Sequence, residues 1–118
     1  MTTAQQVGRI GEDAAYEWMV DRGWRVLARN WRCEHGEIDL VGVEDDTLVI
    51  AEVKARRSGA TGLPQEAVTP RKLARLRRLA GAWLGASGRH WSQVRIDVFA
   101  VRVGPDASVN VEHLRGVE

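Results

Sequence analysis

The sequence predicts a mixed α/β fold, a β-sheet flanked by helices in the order α-β-β-β-α-β-β. Three observations predict it. Residues 36–55, GEIDLVGVEDDTLVIAEVKA, hold two Val/Ile/Leu-rich runs around an Asp45-Asp46 turn, and such runs joined by a tight acidic turn read as a hairpin. Residues 4–22 and 70–85 carry apolar side chains at helical spacing. Residues 93–103, QVRIDVFAVRV, are apolar on both faces past Asp97, the pattern of an interior strand with a parallel neighbour. Helices with one apolar stripe bury it against the faces of such a sheet.

In the first helix Val7, Ile10, Gly11, Ala14 and Trp18 form the stripe, with Thr2 or Thr3 as the cap and Gly23 as the stop. Gly8 and Gly11 each cost a helix up to about 1 kcal/mol against Ala, so a close approach of backbone or ligand is expected there. Glu12 lies beside the stripe, near Ala15 and Met19, at the edge of the core. Trp24–Ala28 reads as a strand, and Asn30–His35 as a polar connection. The hairpin strands run over 37–43 and 47–55, and the turn formers of 56–69 make a loop. Thr69 then Pro70 is a helix start, an N-cap followed by the residue best suited to the first turn. Lys72 shares a side with Leu76, Leu79 and Trp83 and points toward the sheet, while Arg71, Arg75 and Arg78 form the opposite, outward stripe. Ser87–His90 is a loop, Gly104-Pro105-Asp106 a turn, and Ser108–Leu114 an edge strand.

At 118 residues the chain reads as one domain, 1–118, able to bury about two-thirds of its unfolded surface. A composition 44% hydrophobic and 28% charged argues against disorder. No apolar run approaches a membrane span and no signal peptide opens the chain. Lone Cys33 reads as a small packed hydrophobe and fits a reducing, cytoplasmic setting. Net charge is only +1, yet residues 71–78, RKLARLRR, hold five positive charges and no negative one. That asymmetry suits a polyanion, although a solvated helix face is the commoner explanation of a charge run. Of 17 basic residues only Lys54 and Lys72 are lysine, a compact charge with a tunable pKa that Arg cannot imitate.

The hairpin strands carry charge where a core strand should not. Asp39 stands between Ile38 and Leu40, and Glu52 and Lys54 flank Val53. Buried charge is costly unless paired or metal-bound. Magnesium or manganese takes oxygen ligands, so Asp39, Glu52 and the Val53 carbonyl are candidate ligands, with Glu12 joining through water. Lys54 shares the face of Glu52 and can hold an attacking water or take its proton. Glu37 and Gln65 are expected in support around this set. Arg56, Arg57, Arg71, Lys72 and Arg75 are the candidate nucleic-acid contacts. An acid two places before Lys is weak alone, with about 0.3 chance matches in this composition. The combination with an Asp in the preceding strand and a Glu on an earlier helix is sharper.

These residues resemble the signature of the PD-(D/E)xK nucleases, Glu12, Asp39 and Glu52-Val53-Lys54, in the order and spacing of archaeal Holliday-junction resolvases. Ile38 stands where that superfamily's name places Pro. The chain also resembles the YraN-like family of small bacterial proteins. The matching stretches are residues 8–12, Arg29-Asn30, residues 36–41, Glu52-Val53-Lys54, Glu66-Ala67-Val68, Lys72 and Ile96-Asp97-Val98. The resemblance implies a restriction-endonuclease-like fold and a magnesium- or manganese-dependent endonuclease acting on DNA, with branched or flapped structures as substrates. Resolvases of similar build act in pairs, which implies a homodimer. A non-catalytic nucleic-acid-binding or protein-interaction module on the same fold stays open beside it, as does a structural scaffold.

Overall fold

β1 (Arg25–Cys33), β2 (Gly36–Glu44), β3 (Thr47–Arg57), β4 (Gln93–Val103) and β5 (Val109–Leu114) form one sheet in sequential order. They are seen in a computed structural model that describes residues 2–117. β1–β2, β2–β3 and β4–β5 pair antiparallel; β3 and β4 pair parallel, from Thr47↔Gln93 to Arg57↔Val103. Tight turns can join antiparallel neighbours, but a parallel pair needs a long crossover. Here α2 (Pro70–Ser87) supplies it.

The parallel pairing buries both faces of β3, and its side chains divide between the two helices. Leu48 and Ile50 pack with Leu76, Leu79 and Ala80 of α2. Val49 and Ala51 pack with Ala15 and Met19 of α1 (Ala4–Asp21) on the other side. The architecture is therefore helix, sheet, helix. Thr3 and Gln6 cap α1 reciprocally, and the Thr69 hydroxyl accepts the Lys72 N–H at the start of α2. Among the described residues no helix is long and apolar enough to cross a membrane.

Several boundaries differ from expectation, and β3 runs on to Arg57, into the expected 56–69 loop, because its pairing with β4 continues to Arg57↔Val103. β1 does not stop at Ala28 but runs through the expected polar connection to Cys33, because that backbone pairs with β2 at Trp31↔Ile38 and Cys33↔Gly36. Trp31 and Cys33 pack inward under α2, and Trp31 meets Trp83 edge to face. The strand is kinked, with the register shifting between Val26 and Ala28 and Asn30 at φ 52. α2 likewise continues to Ser87 and ends on Gly88, whose φ of 67 suits the left-handed cap. Trp24 is core, and β5 is an edge strand, as is β1.

The two α1 glycines have different surroundings. A Cβ at Gly11 would lie 2.4 Å from the Ala55 Cβ, so the helix rests directly on β3. A Cβ at Gly8 would meet nothing within 4 Å. Substitution by Ala should thus act with opposite signs. Overpacking at Gly11 costs about 1–3 kcal/mol, more than the helix-propensity gain of about 1 kcal/mol. Urea or thermal unfolding should show Gly11→Ala less stable than wild type, and Gly8→Ala more stable by up to about 1 kcal/mol.

Candidate metal centre

Pairing between β2 and β3 ends at Leu40↔Ala51, two residues short of Ile38. Beyond that point the strands part. The Val53 N–H, without a strand partner across the gap, donates instead to Asp39 Oδ2 at 2.8 Å. Asp39 is thereby fixed in a half-buried opening. α1 brings Glu12 to the same place, and Glu37 arrives from the start of β2. Ligand oxygens of Glu12, Glu37 and Asp39 all lie within 4.8 Å of one another.

Three carboxylates this close repel one another unless they hold protons, accept hydrogen bonds or share a cation. Burial first, then the charges of Glu12, Glu52 and Glu37, push Asp39 up to about 6 against the opposing Val53 hydrogen bond. Burial and Glu37 also raise Glu12, opposed by Asn30 and Arg29. Around the trio, Arg32 donates to Glu37 Oε2 at 3.1 Å and Arg29 to Asp13 at 2.6 Å. With its amide nitrogen toward the acids, Asn30 donates to Glu37 Oε1 at 2.8 Å and Glu12 Oε1 at 3.0 Å. Donors made only of carboxylate oxygen fit magnesium, manganese or calcium rather than a softer metal.

The other expected residues are placed differently. Glu52 is close enough to act on Asp39, but it stands outside the trio and accepts from Arg75 Nη2 at 2.8 Å. Arg75 therefore does not belong to an outward stripe, since its long side chain bends from the flank of α2 to the sheet. Glu37, expected in support, is a full member of the cluster. Lys54 is half-buried, with no hydrogen bond or ion pair from its side chain among the described residues, and lines a small recess with Arg56, Leu63, Pro64, Ala100 and Arg102. Arg56 donates to the Thr61 carbonyl and Arg57 to that of Thr2. Arg71 is exposed and Lys72 half-buried, neither with a side-chain partner among the described residues. Gln65 is exposed on a short 3-10 turn, Pro64–Ala67.

The profile of the uncharacterised protein family UPF0102 matches residues 11–101. The chain belongs to that family. A UPF0102 protein of Beutenbergia cavernae is 50% identical over 117 residues, covering 99% of each chain. One from Mycobacterium avium is 49% identical over 118 residues, covering 98% of this chain and 91% of the relative. The matched span runs from α1 through most of β4 and leaves β5 outside. The YraN-like resemblance thus holds at the level of the family.

Sequence reasoning missed Asn30, Arg29 and Arg32 as partners of the acids. Asn is one of the few side chains that tolerates positive φ, so Asn30 reads naturally as a turn. The Arg29-Asn30 pair within the family resemblance was the available signal, and placing it in a loop hid it.

An unfolded Asp39 loses its proton near 3.8, and the folded one near 6. Between those values the folded state holds a proton that the unfolded state has released, so stability falls as pH rises through this window. The loss is about 3 kcal/mol by pH 7. In EDTA, wild-type unfolding free energy should decline from pH 4 to pH 7. Asp39→Asn, which keeps an acceptor for Val53, should flatten that decline and be the more stable protein at neutral pH.

Proposed function

We propose that this protein is a divalent-cation-dependent endonuclease that hydrolyses phosphodiester bonds in DNA, branched or flapped forms included, on a restriction-endonuclease-like fold. The observation that carries the reading is the meeting of Glu12, Glu37 and Asp39 within 4.8 Å at the split between β2 and β3. Such a trio is destabilising to the folded protein without a cation and apt with one. Magnesium or manganese, when bound, supplies charge neutralisation for a phosphodiester and acidifies water. Glu12, Glu37 and Asp39 would hold it, with Glu52 and the Val53 carbonyl as the further oxygens nearest in the chain.

The remaining roles fall to this chain's cations. Lys54 carries an ammonium with no ion-pair partner among the described residues, on the strand that also bears Glu52. It is the group in this reading that orients a water and accepts its proton. Arg71 and Lys72, unpaired among the described residues at the start of α2, hold the nucleic-acid backbone by charge. Arg56 and Arg57 join them by exchanging loop carbonyls for phosphates. A pair of subunits, as the resolvase resemblance implies, belongs to the same reading.

Purified protein incubated with branched and linear DNA should cut it only with magnesium or manganese. Lys54→Ala and Asp39→Asn should each lower the rate by about 100-fold or more. Equal cleavage by wild type and Lys54→Ala would identify a contaminant and end the claim. The same cations should raise the melting temperature of the wild type and leave that of Asp39→Asn unchanged.

A binding module that makes no cut is the second reading, favoured by one observation: Glu52 already carries Arg75. DNA binding that persists in Asp39→Ala, with no cleavage by the wild type under any divalent cation, would establish it.

A further inference from the structure

Among the arginine–acid pairs that reach this sheet, those of Arg95 and Arg75 are built differently. Arg95 grips Asp97 with both Nε and Nη2, at 2.8 and 3.0 Å, and also reaches Glu44. That two-pronged, enclosed arrangement satisfies the planar guanidinium fork. Arg75 gives Glu52 a single Nη2 contact at 2.8 Å. Its Nε is buried with no hydrogen-bond partner among the described residues. The Arg75 side chain remains 43% exposed, and that of Glu52 20%. A single, half-exposed contact of this kind is weak, and the buried Nε is a standing penalty that a better partner would remove.

A phosphodiester is that partner, because it offers two charged oxygens to the fork where Glu52 engages one nitrogen. Arg71 and Lys72 stand one turn earlier on α2 without side-chain partners among the described residues, so phosphate is drawn to this end of the helix. Glu52 is the first β3 residue past the last β2–β3 pair, Leu40↔Ala51, so it stands where the two strands part. The geometry points to Arg75 as a latch. It is a DNA-phosphate contact held by Glu52 in the free protein, and its transfer to phosphate frees the Glu52 carboxylate for the cation at the β2–β3 split. Nucleic acid and cation then assist each other, since each is bound best once the guanidinium has left the carboxylate. The inference rests on the nuclease reading for the cation, but its central exchange concerns only Arg75, Glu52 and phosphate.

DNA binding measured in EDTA tests that exchange without any cleavage or metal. Anisotropy of a labelled branched DNA should show Glu52→Gln and Glu52→Ala binding several-fold more tightly than wild type. The slope of log K against log salt should steepen by about 0.9, one added phosphate contact on duplex arms. Both gains should vanish when Arg75→Gln is also present. Gains of equal size with and without Arg75 would mean that removing a negative charge alone was responsible, and would overturn the latch. Failure of every variant to bind DNA would overturn it too. Melting curves identify variants that do not fold, and the two replacements at Glu52 keep the comparison available. Loss of cleavage or of cation binding by the wild type would sink the nuclease reading and leave the EDTA result standing on its own.

Discussion

One hydrogen bond organises this molecule, the donation from the Val53 N–H to Asp39 Oδ2 at 2.8 Å. Where β2 and β3 pair, from Leu40↔Ala51 to Glu44↔Thr47, strand N–H groups find carbonyls on the neighbour. At this point β2 has turned away, and a side chain stands in for the missing backbone partner. The exchange has two consequences. It closes the sheet's hydrogen bonding at a place where an unpaired donor would be costly. It also commits a carboxylate to a half-buried gap, where Glu12 and Glu37 then crowd it. The fold and the candidate site therefore share a single feature. The split that lets acids converge is also what the Asp39 side chain repairs.

Asp39 and Asp97 show how little the residue type alone decides. Both lie on strands of the same sheet. Burial pushes Asp97 up, but hydrogen bonds from His113, Arg95 and the Gly116 N–H together hold it below the usual carboxylate range. His113 is stacked on Phe99 and donates to Asp97 Oδ2 at 2.7 Å, so the acid ties edge strand β5 and the residues after it to β4. Asp97 is fully enclosed and supplied with donors on both oxygens. Asp39 has one donor and three acidic neighbours, and its proton affinity rises. The first is a fastening. The second sits among acids that its single donor does not offset, and the strained titration is what marks it as a candidate site.

Legibility in the sequence followed the range of the interactions. The hairpin, both helices and the interior strand rest on periodicity and turn chemistry, which are local, and these elements stand where the pattern placed them. β1 was cut short because Asn30 and the polar residues after it resemble a loop, while their pairing with β2 is decided by the neighbour. The converging acids were only partly legible. Glu12 and Asp39 were expected near one another, but Glu37, at the strand entrance, was expected only in support. Its place depends on the Asn30 kink and on Arg32, neither of which leaves a spacing pattern. Arg75 was misplaced for a related reason. A helical wheel gives the direction of Cα–Cβ, and a long guanidinium on the flank can still bend to an acid on the sheet.

The contrast between the two arginine pairs extends this reasoning from architecture to chemistry. A protein that needed Glu52 only for stability would gain from replacing a single-contact pair with apolar packing, since half-satisfied ion pairs stabilise poorly. Glu52, beside the acidic trio, instead carries an arginine whose Nε has no partner among the described residues, a vacancy within the pair. Asp97 and Arg95 have no such vacancy, so they hold one arrangement. On the proposed reading, a polyanion and a cation at the β2–β3 split would each improve a contact that the free protein makes poorly. Local pairing of this kind, and not net charge, is what would let such a surface take both.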